Sequence, residues 1–165
     1  MDNVLTIAEE RLNLFAHMAN SACGLSLWCF GMKKQLYTCT CPAEKEFRLF
    51  LDLGQCLDYA IAHGPESHAP ILMSDPIGML WVAECVWHGD DASYLVILGP
   101  VFDAAASLQT LQNCLRGMNL SVSLTATIME KLEQVPILPL STLHQYIKML
   151  HWVLYEETLD VGSIR

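Results

Sequence analysis

Residues 78–87 and 94–101 are two strand-length apolar runs separated by His88-Gly-Asp-Asp-Ala92, whose residue types reverse a chain. Two strands joined so tightly can only lie antiparallel. The pattern recurs upstream. Gly24-Leu-Ser-Leu-Trp-Cys-Phe30 predicts a strand, Gly31-Met-Lys-Lys34 turns the chain, and residues 35–41 return as a second strand. Ile71-Leu-Met73, after a loop holding Pro65 and Pro70, predicts another. A mostly antiparallel sheet is therefore expected.

Helical spacing fills the rest of the chain. Leu5, Ala8, Leu12, Phe15 and Met18 recur on one face of a helix over residues 4–19. Pro42 suits the first turn of a second helix, with Glu44 and Glu46 at its positive end and Gly64-Pro65 as its stop. That helix carries two apolar stripes, which predicts packing between layers. Further helices are expected at 106–116, closed by Gly117, and at 121–133, capped by Ser121. A last one, capped by Ser141, has the stripe Leu143, Tyr146, Ile147, Leu150, Val153 and Leu154. The order predicts an α+β fold, residues 1–165 forming one domain with helices segregated from the sheet.

Composition decides which functions are open. Hydrophobic residues make up 53% of the chain and charged ones 16%, so apolar side chains exceed the ordinary supply and call for a filled core plus a pocket or contact surface. The longest apolar run, Ile77 to Trp87, is interrupted by Glu84 and too short to span a bilayer, and no signal peptide opens the chain, so a cytoplasmic protein with no membrane partner is expected. A net charge of −9, with basic residues only in isolated pairs such as Lys33-Lys34, argues against direct nucleic-acid binding.

Catalytic signatures are missing from the sequence. No G-x-S-x-G, HExxH or Walker A pattern occurs, and no catalytic residue or cofactor is assigned. Cys39-x-Cys41 puts two thiols on one strand face without the second pair that structural zinc uses, so buried thiols outweigh a metal reading. His144 and His151 lie seven apart on the last helix, where a solvated or partner-facing stripe explains them as well as acid/base chemistry does. Glu84 interrupts an apolar strand. It either reaches water from an edge position or receives a polar ligand group in an apolar cleft. A small-molecule enzyme using Glu84 or His151 as its base remains the rival to a binding domain, as does a dimerisation module without ligand.

Several segments carry a likeness: residues 24–30, Cys41-Pro42 with Phe47, residues 70–81, Leu98-Gly-Pro-Val-Phe102 and Gln145-Tyr-Ile-Lys-Met-Leu-His151. Together they resemble the N-terminal sensory region of AraC-type helix-turn-helix transcription regulators of anaerobic bacteria. The element order also resembles GAF and PAS sensor domains, which sandwich an antiparallel sheet between helices. The resemblance implies a ligand-sensing regulatory domain that binds a small molecule and forms a homodimer. The basic DNA-binding domain of such regulators is absent from this chain, and residues 159–165 read like the beginning of a linker. Sensor folds of this type bind ligands on the sheet face. The expected site is therefore the face of Ser26, Trp28 and Phe30 beside that of Trp81 and Ala83, where the small Ala83 leaves space and Ser26 or Glu84 orients the ligand. Met149 and Trp152, off the buried stripe of the last helix, are the expected dimer contacts.

Overall fold

The computed structural model describes residues 3–105 and 107–165, with side chains described for all of these except 3–8 and 108. Leu5 and Ala8 of the predicted first stripe therefore lie outside the described side chains. The elements are α1 (Asn3–Cys23), β1 (Leu27–Gly31), β2 (Leu36–Cys39), α2 (Glu44–Leu53), α3 (Cys56–His63), β3 (Ile71–Ser74), β4 (Leu80–His88), β5 (Asp91–Val101), α4 (Leu108–Arg116), α5 (Val122–Leu132) and α6 (Leu140–Tyr155).

Both expected hairpins form, and every strand pairing in the sheet is antiparallel, in the order β2-β1-β5-β4-β3. The chain is an α+β domain of a kind compatible with GAF/PAS-like folds. Because side chains alternate along each strand, the sheet offers two faces. Trp28, Phe30, Trp81, Ala83, Cys85, Leu95 and Ile97 share one with Phe47, Phe50 and Leu51 of α2, Leu57 of α3, Leu115 of α4 and Ile128 of α5. Leu27, Cys29, Val82, Val86, Val96 and Leu98 share the other with Leu12, Phe15 and Ala19 of α1 and Leu143, Ile147 and Leu150 of α6. Helices thus cover both faces of the sheet, the sandwich that the element order predicted.

Other differences are local. The single helix predicted to reach His63 breaks into α2 and α3, because Gly54 is followed by Gln55 in the left-handed region (φ 57°). Gly54 packs so close to Asp75 that an added Cβ would lie 3.2 Å from its Cα. Ser121 caps α5 as expected, its side chain accepting from the Leu124 N–H. Ser141 does not cap α6, which starts at Leu140 behind Pro139 with no side-chain cap. Met18 is exposed, and Ala16 and Ala19 are buried in its stead.

Candidate functional site

Four of the sequence-expected ligand residues, Trp28, Phe30, Trp81 and Ala83, come together on one face, but as a packed layer, while Glu84 points from the other face. Trp28 and Trp81 are wholly buried. Their rings meet edge to face at 5.9 Å, and Phe30 stacks on Trp28 at 6.0 Å. Each indole is held by its N–H: Trp28 Nε1 donates to the Gly99 carbonyl at 2.8 Å, and Trp81 Nε1 to Asp75 Oδ2 at 2.9 Å. A Cβ on Gly99 would come within 2.9 Å of the Trp81 ring, and its φ of 140° also favours glycine. Ala83 is flanked by Ile71 and Ile97 across the neighbouring strands. Trp28 and Trp81 border none of the cavities described below. Ser26, also buried, lines a small cavity together with Cys41.

Asp75 had no signal in the hydrophobic pattern. Its Oδ1 accepts the N–H groups of Ile77 and Met79 at 3.1 and 3.0 Å, which locks the Asp75-Pro76-Ile77-Gly78 turn beneath the tryptophans. Burial pushes this carboxyl up to about 6 against the donors that surround it. An aspartate before Pro-x-Gly is the one sequence sign that could have marked it.

Glu84 does not reach water. It sits inside β4 with only 1% of its surface exposed and points toward α6. His151, likewise not the solvated helix residue expected, approaches with Nδ1 2.6 Å from Glu84 Oε1, while its Nε2 lies 3.4 Å from Glu157 Oε2. The hydrogen bond to Glu84 raises the imidazole's proton affinity, and Glu157 adds to it. Burial raises the Glu84 carboxyl, and His151 works against that rise. The pair thus ties the last helix to a central strand by a hydrogen bond between two buried groups. Next to it, the Tyr155 hydroxyl donates to the Cys85 carbonyl and His68 stacks on the Tyr155 ring at 4.6 Å. No sequence spacing could bring Glu84 and His151 together, since they are 67 residues apart.

The break between α2 and α3 opens a cavity of about 550 Å³ against the outer edge of β3. Gly54, Gln55 and Tyr59 line one side, with Met73, Ser74 and Arg165 on the other. That volume is in the range that takes small molecules. Arg165 closes one end. Its backbone pairs with the β3 edge, the Leu72 N–H donating to the Arg165 carbonyl and the Arg165 N–H to the Pro70 carbonyl. Its guanidinium donates to the carbonyls of His63 at 2.7 Å and Ala69 at 2.6 Å.

On the opposite face of the molecule, α1 and α6 leave a groove of about 390 Å³ lined by Leu14, Met18, Met149 and Trp152 and flanked by Arg11 and Lys148. Met149 and Trp152 are exposed there as their spacing predicted, at 42% and 54%. Among the described residues, no cluster of three or more His, Cys, Asp or Glu side chains could hold a metal ion, and no helix is long and apolar enough to cross a membrane. No protein-family profile matches the chain, and no curated protein matches it.

Proposed function

We propose that this chain is a ligand-sensing regulatory domain, of the kind AraC-type regulators carry ahead of a DNA-binding domain, which binds a small molecule and pairs through α1 and α6. The observation that carries this reading is the position of Arg165. It lines the cavity at the β3 edge, and the short segment 156–165 joins it to α6, the helix that presents Met149 and Trp152. A ligand touching Arg165 would act on the segment that leaves α6, so occupancy of one site could bias the other. The ligand site moves, on this reading, from the filled tryptophan face to the β3 edge. The groove suits a second copy: Leu14, Phe15, Met18, Met149, Trp152 and Val153 make most of its lining apolar, and Arg11 at its rim is already paired with Glu156.

The enzyme alternative would use Glu84 or His151 as a base. Both side chains are closed from solvent, with 0% and 4% exposed, and neither borders the cavities described. A base has to come within hydrogen-bond reach of its substrate, which favours a structural role for the pair.

A thermal-shift screen of metabolites, followed by sedimentation with each hit, tests the proposal. Saturating ligand at 100 times Kd is expected to stabilise by about 2.7 kcal/mol, without turnover and with a changed monomer–dimer balance. Turnover of a hit, or a clean monomer at tens of micromolar (roughly the range of weak interfaces) with and without ligand, would overturn it.

A further inference from the structure

Cys39 and Cys41 are neighbours whose thiols are pushed apart: the hydrogen bond to Cys41, with burial, raises the Cys39 thiol, while Cys41 is lowered. Burial pushes Cys29 up to about 12 and Cys56 and Cys85 up to about 11, which leaves them inert at neutral pH. Cys41 lies just ahead of α2 and faces donors. Its thiol is lowered first by its coupling to the Cys39 side chain, and further by the Ala43 backbone N–H and the Ser26 side chain. In return the Cys41 N–H donates to Cys39 Sγ at 3.2 Å. A donor set at the start of a ten-residue helix is an environment that stabilises a thiolate. Burial and the Glu44 carboxylate oppose it, but the donors prevail and Cys41 is drawn down to about 7. The sulfur is also reachable. Cys41, Ser26, Asn20 and Gln134 line a cavity of about 130 Å³, large enough for a few atoms and lined partly by polar groups. Cys39 is half-buried at the end of the edge strand β2, two residues from Cys41.

We propose that Cys39 and Cys41 form a redox dithiol in which Cys41, beside Cys39 and on the wall of a small cavity shared with Ser26, attacks a hydroperoxide as its thiolate and is then resolved by Cys39 to a disulfide. In the first step Cys41 sulfur attacks the peroxide, a sulfur–oxygen bond forms and the O–O bond breaks. The departing alkoxide or hydroxide takes up the proton that the thiol gave up, leaving Cys41 as a sulfenic acid. In the second, Cys39 sulfur displaces that hydroxyl, which leaves as water with the Cys39 proton. Overall, two thiols and one hydroperoxide give one disulfide, one alcohol (water, for hydrogen peroxide) and one water. A bridge across a single intervening residue is strained, which makes it readily reduced again by a dithiol. The closure would pull on the end of β2 and the start of α2, beside Trp28, the register partner of Cys39. The site is separate from the β3-edge cavity and from the α1/α6 groove, so it stands apart from the sensor reading.

The test treats the reduced full chain with hydrogen peroxide near neutral pH and follows each cysteine by alkylation and peptide mass. The expected result is loss of two hydrogens, located to the peptide holding Cys39 and Cys41 and reversed by dithiothreitol. Before oxidation, iodoacetamide should label Cys41 faster than the half-buried Cys114 at pH 7. Cys39→Ala should stop the reaction at a sulfenic acid on Cys41, trapped by dimedone, and slow its labelling. Ser26→Ala should slow labelling with the circular dichroism spectrum unchanged, which separates this effect from misfolding. Peroxide leaving Cys39 and Cys41 as freely alkylated as Cys114 would overturn the proposal. So would zinc binding by the reduced pair tight enough to block oxidation.

Discussion

The two faces of the sheet are built from the same alternating strands yet do opposite things. The face under α2 to α5 is closed: two tryptophans, Phe30 and Phe50 are wholly buried there, and the indole N–H groups are satisfied inside the protein. The face under α1 and α6 is lined by smaller aliphatic side chains and carries a buried Glu84–His151 pair, while its covering helices expose Leu14, Met18, Met149 and Trp152. Aromatic richness alone is a poor guide to a binding site. Large rings that find partners for their N–H groups make a rigid layer. A break in a helix and a half-used surface stripe leave space and apolar area that need an occupant.

The sharpest way to break this contrast is to truncate the tryptophans. Trp81→Ala and Trp28→Ala should each cost about 3–5 kcal/mol, with Trp81→Ala also stranding the Asp75 carboxylate, and urea unfolding would measure it. If either variant keeps its stability yet loses ligand affinity, the aromatic face is a pocket after all.

On the other face, His151→Leu should cost about 3 kcal/mol or more, since it leaves Glu84 buried without its partner. Glu84→Leu combined with His151→Leu should recover much of that loss, because apolar groups of similar size replace a desolvated pair. Additive losses in this double-mutant cycle would mean that the pair is not coupled.

Protons provide a smaller and signed effect. His151 has its proton affinity raised by folding, so its stabilisation is fully present below about 6.5, the ordinary histidine value, and is lost as pH rises through its folded value. Asp75 is also raised, so its contribution is full below the ordinary aspartate value of about 3.9 and is lost as pH rises through about 6. Relative to the parent, His151→Leu should therefore flatten the decline above neutrality, and Asp75→Asn the decline between roughly pH 4 and 6. Unfolding midpoints across that range decide it; a parent whose stability climbs in both windows by the amounts the variants remove would reverse the assignment.

The smallest effect on stability is expected at the groove. Trp152→Glu should change the monomer's unfolding free energy by no more than about 0.5 kcal/mol while abolishing any dimer seen in sedimentation. A dimer that survives it places the contact elsewhere.

The sequence by itself determined the hairpins, the alternation that divides Trp28 from Cys29 and Trp81 from Val82, and the stripe Leu143, Ile147 and Leu150. Each of these follows from spacing within a few residues, where backbone geometry dictates which side chains share a face. It also marked Met149 and Trp152 as surplus to the buried stripe. Tertiary structure decided whether the aromatic face is open or filled, that α1 and α6 cover one side together, and that Glu84 meets His151 rather than water. Those outcomes depend on groups far apart in the chain reaching the same point, and local periodicity holds no information about distance through space. The α2–α3 break lies between the two cases. Gly54 is a weak helix former, yet the spacing around it reads as one continuous helix; its role came from Asp75, against which an added Cβ would be crowded at 3.2 Å.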